Sequence, residues 1–125
     1  AYRRNNLMTL RLFHNPRCST SRAALAAVQE AGVDVEVIDY VKTPLDEAGL
    51  RDILAVLEDE PGALVRRDPA FTEAGLTTDD VRTSDQVAMV LVAHPALMQR
   101  PLLVREGTAI IGRPMERVAS FLAGA

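Results

Sequence analysis

The stretch Leu10-Arg-Leu-Phe-His14-Asn15-Pro16-Arg17-Cys18-Ser19-Thr20-Ser21-Arg22-Ala-Ala-Leu25 decides the fold. A strand pattern from Met8 ends at Phe13, a polar turn containing Pro16 follows, and an Ala-rich helical pattern starts at once. Ala24, Leu25, Val28 and Ala31 recur at helical spacing from about Ser19, and Gly32 supplies the stop. Asp34 to Tyr40 then reads as a second strand. Strand, helix and strand make a βαβ unit, whose strands pair in parallel through a right-handed crossover.

Cys18 is the chain's single cysteine and stands at the start of that helix. The first helical turn carries backbone N–H groups without intrahelical partners, which favour an anion there, either a thiolate or a bound oxyanion. A free cysteine is often no more than a small buried apolar side chain. Here its neighbours Arg17, Ser19, Thr20 and Ser21 are polar, which points to a reactive thiolate. Ser21, one turn along, is placed to hydrogen-bond the sulfur, and Arg17, Arg22 and His14 add positive charge or donors. His14 has two readings, a partner or proton relay for the thiolate or a structural residue closing the strand.

Beyond Tyr40, Thr43 and Pro44 open a helix that buries Leu50, Ile53, Leu54 and Leu57 and ends near Glu58. Residues 63–68 read as a short helical turn bearing Arg66 and Arg67, and residues 70–74 as a weak helix closed by Gly75. A polar linker, Thr77 to Thr83, precedes a helix capped by Ser84 and stopped at His94-Pro95. Leu102 to Val104 and Ala109 to Ile111 form a hairpin through Gly107 and Thr108, and Gly112-Arg113-Pro114 opens a last helix that buries Val118, Phe121 and Leu122. The order β-α-β, helical middle, β-β-α is that of an α/β, thioredoxin-like mixed sheet. Residues 1–125 are expected to form one such domain, with about 44–95 as a helical insertion.

That topology brings the turn before the third strand beside the cysteine loop, which puts Arg100 near Cys18. Arg66, Arg100 and Arg113 all stand in loops or turns. Guanidinium groups bind oxyanions through paired hydrogen bonds and keep their charge when partly buried, so the three are candidates for an oxyanion cradle. Taken singly, each is also an ordinary surface arginine. His94 reads as a capping or packing residue, and Asp79, Asp80 and Asp85 as a solvated acidic loop rather than a metal cluster.

Composition narrows the partners. The 125 residues are 48% hydrophobic and 25% charged with a net charge of -3, values of an ordinary soluble protein with no implied nucleic-acid or membrane partner. Three Phe, two Tyr and no Trp offer little for base stacking. Arg3 and Arg4 are too short a basic run for nucleic acid. One cysteine excludes an internal disulfide and leaves too few ligands for a structural zinc site, so no metal is expected, and a redox cycle through Cys18 needs an outside thiol. No apolar run reaches the ~18 residues of a membrane span. A cytoplasmic monomer is expected, with residues 1–6 as a loose leader.

His14-Asn-Pro-Arg-Cys18-Ser-Thr-Ser21-Arg22 resembles the active-site signature of the glutaredoxin-coupled arsenate reductases, the ArsC family. Val37 to Pro44 resembles its strand and Tyr-x-x-Thr-Pro turn, Ala63 to Arg67 its Leu-Leu-Arg segment, His94 to Leu102 its His-Pro and Arg-Pro segments, and Gly112-Arg113-Pro114 its late Arg-Pro turn. The resemblance runs in order from about Leu10 to Leu122. It implies that Cys18 is the nucleophile, that Arg66, Arg100 and Arg113 hold the oxyanion and lower the cysteine's pKa, that His14 and Ser21 support the thiolate, and that Pro101 is a cis-proline. It also implies arsenate as substrate, glutathione as co-substrate, glutaredoxin as partner and no bound cofactor. Arg17 and Ser19 depart from the small residue and glycine of well-known members. Two alternatives use the same fold. One is a glutathione-dependent thiol-disulfide reductase working through Cys18, which leaves the three arginines unexplained. The other is an Spx-type regulator binding RNA polymerase, whose Cys-x-x-Cys switch lacks its second cysteine here, since Ser21 stands in its place.

Overall fold

A computed structural model describes residues 9–123. Met8, Arg3, Arg4 and the leader lie outside the described residues. Among the described residues four strands form one sheet in the order β2-β1-β3-β4, with β1 at Leu10–His14, β2 at Val35–Asp39, β3 at Leu102–Arg105 and β4 at Thr108–Ile111. The strand β1 pairs in parallel with β2, Leu12 opposite Val37, and antiparallel with β3, Leu12 opposite Leu103. Helices α1 (Ser19–Glu30), α2 (Glu47–Val56), α3 (Pro69–Glu73), α4 (Ser84–Ala93) and α5 (Glu116–Ala123) complete a thioredoxin-like mixed α/β fold. No described helix is long and apolar enough to cross a membrane.

Strand alternation sorts the core into two layers. Leu10, Leu12, Leu103 and Ile110 point to one face of the sheet and pack with Ala24 and Val28 of α1 and Val118 of α5. Phe13, Leu102, Val104, Ala109 and Ile111 point to the other and pack with Leu50 and Ile53 of α2 and Val87 and Leu91 of α4. Truncating a fully buried leucine such as Leu12 to alanine costs about 2–5 kcal/mol in sites of this kind. With helices on both faces, the β1–α1 turn is presented at the C-terminal end of a central strand on a rigid base.

Several boundaries differ from the pattern reading, each for a local reason. Asp46, not Thr43, caps α2, because its carboxylate accepts from Gly49 N at 2.8 Å while Leu45 is buried ahead of the helix. The helix ends at Val56, where Leu57 bridges to Ala109 and Glu58 N donates to Ala109 O. Thr83, not Ser84, caps α4 in a reciprocal box with Gln86. The linker 77–83 contains a 3-10 turn, Thr78–Val81, fixed by a second box between Thr77 and Asp80 and by burial of Val81. The turn over 63–68 is displaced to Pro61–Leu64. Val65 is extended instead and bridges to Met98. The last helix begins at Glu116 rather than at Gly112–Pro114. Asp79 and Asp85 are ion-paired with Arg82 and Arg51.

Candidate active site

Cys18 is the N-cap of α1, with extended backbone angles, φ -99° and ψ 123°. Its amide donates to Asn15 O at 3.0 Å, closing the turn, and its carbonyl accepts from Arg22 N, starting the helix. An N-cap side chain is aimed at the unpaired amides of the first turn. The sulfur makes no capping hydrogen bond, but the Ser21 and Thr20 amides of that turn favour its ionised form.

Two of the three candidate arginines converge on that sulfur. Arg113 Nη2 lies 3.4 Å from Cys18 Sγ, and its Nε donates to Arg100 O at 2.7 Å. The positive charge of Arg100 favours the thiolate, and the Arg100 Nε is buried without a hydrogen-bond partner. Both arginines precede prolines joined by cis peptide bonds, Arg100–Pro101 and Arg113–Pro114, and the second has no counterpart in the sequence reading. Burial pushes the Cys18 thiol up. The Ser21 amide, the Arg100 guanidinium and the Thr20 amide outweigh it and bring the pKa down to about 7.

Arg66 stands one step back. It pairs with Asp68 at 3.3 Å and donates from Nη1 to Gln99 Oε1 at 3.5 Å. The same Oε1 accepts from Arg100 N at 3.2 Å, so Gln99 links Arg66 to the Arg100 turn. A short ladder makes this possible: Arg66 N donates to Leu97 O and Gln99 N to Leu64 O, across the Val65–Met98 bridge.

Ser21 and His14 form a buried pair, with His14 Nδ1 2.6 Å from Ser21 Oγ. Asn15 N donates to the same hydroxyl at 3.0 Å. The Ser21 hydroxyl is therefore directed at His14 and Asn15, and what Ser21 presents to the sulfur is its amide. Burial lowers the His14 pKa, with Arg22 adding to the effect and Asp39 opposing it. The His14–Ser21 pair ties the end of β1 to the first turn of α1. His94, in contrast, is an exposed C-cap of α4.

A cavity of about 570 Å³ lies elsewhere, between the β3–β4 hairpin and α5, and its lining includes Glu58, Arg105, Glu116 and Phe121. Its lining has hydroxyls, Thr108 and Ser120, but no thiol. Gln99 adjoins the Arg100 turn with no sequence signal, while Asn15 and Tyr40 stand in segments that carry the family resemblance without a role assigned to them there.

A thiolate with a pKa near 7 has a pH signature. Alkylation of Cys18 by iodoacetamide is expected to rise about tenfold per pH unit below pH 7 and level off above it. An ordinary thiol keeps accelerating to beyond pH 8, and that profile contradicts the electrostatics described.

The chain is similar to known proteins over most of its length. The model of the ArsC family matches residues 13–121. An arsenate reductase of Neisseria meningitidis serogroup A is 37% identical over 115 residues, 90% of this chain and 97% of that protein. The Escherichia coli protein YfgD, whose name states no activity, is 40% identical over 115 residues, 90% of this chain and 96% of its own. The solved structure of an arsenate reductase from Vibrio cholerae superposes with a TM-score of 0.80 at 32% identity, covering 92% of this chain and 98% of its own.

Proposed function

Because this chain belongs to the ArsC family, we propose that it reduces arsenate to arsenite through Cys18, with glutathione as reducing co-substrate and glutaredoxin restoring the thiol. The observation that carries the reading is the convergence of Arg113 and Arg100 on the sulfur of an N-cap cysteine. A thiol-disulfide reductase gains a lower thiol pKa from such cations but has no tetrahedral anion for paired guanidinium groups to hold. A tetrahedral oxyanion uses both, together with the free amides of the first helical turn.

The chemistry follows from that placement. Arg100, Arg113 and the first-turn amides hold arsenate against Cys18, and Arg66 adds charge through Gln99. The thiolate attacks arsenic, forming the S–As bond as an arsenate oxygen leaves as water or hydroxide. A glutathione thiol then attacks the Cys18 sulfur; the S–As bond breaks with its electron pair passing to arsenic, As(V) becomes As(III) and departs as arsenite, and the two sulfurs are left as a Cys18–glutathione disulfide. A glutaredoxin thiol takes the glutathionyl group, which frees Cys18. The chain's lone cysteine accounts for the external thiols, since it has no second sulfur with which to form an internal disulfide.

Arsenite formation by the purified protein tests this, with glutathione, glutaredoxin, glutathione reductase and NADPH supplied, and thioredoxin with its reductase in a parallel arm. Turnover in the glutaredoxin arm is the expected result. Turnover in the thioredoxin arm alone reassigns the donor, while glutathionylation of Cys18 without arsenite formation in either arm moves the reading to disulfide substrates.

A further inference from the structure

Among the described residues β4 is an edge strand, paired on its inner side with β3. Gly112 N donates inward to Pro101 O, so the N–H and C=O of the preceding residue, Ile111, turn to the open edge. Ile111 is 5% exposed, and backbone groups shielded from water need partners. One ion pair serves both groups. Asp59 Oδ2 accepts from Ile111 N at 3.1 Å, and Arg117 Nη1 donates to Ile111 O at 2.9 Å. The same Nη1 donates to Asp59 Oδ1 at 2.7 Å. Asp59 is carried there by the segment after α2, where Glu58 N donates to Ala109 O. Its side chain is 18% exposed, which sets this pair apart from the loosely held ion pairs of an open surface.

Ile111 ends β4, Arg117 lies in the first turn of α5, and residues 112–116 between them form the loop that carries Arg113. Arg117 Nη1 thus closes that loop across its base, and Asp59 fastens the closure to the chain leaving α2. We propose that the Asp59–Arg117 pair is a clasp that positions Arg113, setting the reach of its guanidinium to Cys18 Sγ and to the oxyanion. Both residues act through Arg113, whose Nη2 lies 3.4 Å from the sulfur. An arginine side chain has much rotamer freedom to lose, so its reach is defined only when the backbone beneath it is held.

The inference rests on the proposed function only where arsenate enters, so its primary test needs no turnover. Asp59→Asn keeps the shape of the side chain but replaces one acceptor oxygen by an amide nitrogen, so either Ile111 N or Arg117 loses its acceptor. The Cys18 pKa, read from the pH dependence of iodoacetamide alkylation, is expected to rise by about half a unit, about a threefold loss of rate at pH 6. The direction is what discriminates. Removing a negative charge by itself favours a nearby anion and lowers a thiol pKa, so a rise requires a displaced donor. In an Arg113→Ala background the same substitution is expected to leave the Cys18 pKa unmoved while still lowering the melting temperature, because its effect on the thiol passes through Arg113. An unchanged or lowered Cys18 pKa in Asp59→Asn, or an equal rise in both backgrounds, overturns the proposal. If Asp59→Asn does not fold, Arg117→Met replaces it: the rise it causes must be larger with Arg113 than without it, and equal rises are again fatal. Where wild type reduces arsenate, Asp59→Asn also raises the KM for arsenate about three- to tenfold. A wild type without arsenate reduction fails the functional reading and leaves the pKa test standing.

Discussion

Cys18→Ser is expected to abolish arsenite formation, with a loss of at least about 10³-fold in kcat in the glutaredoxin-coupled assay. The serine hydroxyl does not ionise near pH 7, so the attacking anion disappears. The defect is also chemical beyond that step, since an oxygen cannot be carried as a mixed disulfide and the two electrons arsenic needs have no sulfur pair to come from. The fold is expected to survive, because serine is a preferred N-cap residue and position 18 caps α1. Its melting temperature should match or slightly exceed wild type. Arsenate affinity by calorimetry should stay within about threefold, since Arg100, Arg113 and the first-turn amides remain. Residual turnover above a few per cent in a preparation free of wild-type protein refutes Cys18 as nucleophile.

What the sequence disclosed and what it hid follow from the range of the interactions involved. The β1–turn–α1 unit was legible because its signals are local: strand alternation up to Phe13, a proline in the turn, helical spacing through Val28 and a glycine stop at Gly32, which has φ +70°. The position of Cys18 at a helix terminus came with it. Helix starts were less legible where several capping residues crowd together, as in Thr43 to Asp46 and Thr83-Ser84, since the choice depends on which side chain closes on an amide. The route of Arg66 toward Arg100 was hidden altogether. It depends on a bridge between Val65 and Met98 and on the Gln99 amide, none of which leaves a periodic trace. The orientation of Ser21 is similar: spacing places it one turn from Cys18, but the His14 ring and the Asn15 amide decide where its hydroxyl points.

Arg113 carries the second large effect, because one side chain performs two tasks. Its Nη2 meets the Cys18 sulfur while its Nε holds the carbonyl of Arg100. The segment around it has no slack to take over either task. Gly112 N donates to Pro101 O at 2.9 Å, and a methyl group on Gly112 would come within 2.8 Å of Pro101 Cγ and 3.0 Å of Val118 Cγ2. Arg113 thus reaches the sulfur from a backbone pressed against the Arg100–Pro101 turn. Arg113→Ala removes a charged donor from the oxyanion and from the thiolate, and unties Arg100 as well. A fall of about 10²- to 10³-fold in kcat/KM for arsenate is expected, in the range found for loss of a single oxyanion donor. The Cys18 alkylation profile should move to higher pH in the same variant. Arg113→Lys restores charge but not the forked donor that serves sulfur and carbonyl together, so it should recover less than about tenfold. If Arg113→Lys matches wild type, a point charge is sufficient and the bidentate geometry has no catalytic role. If Arg113→Ala itself lies within about threefold of wild type, Arg113 holds the loop without holding the oxyanion, and Arg100 with the α1 amides must bind arsenate alone.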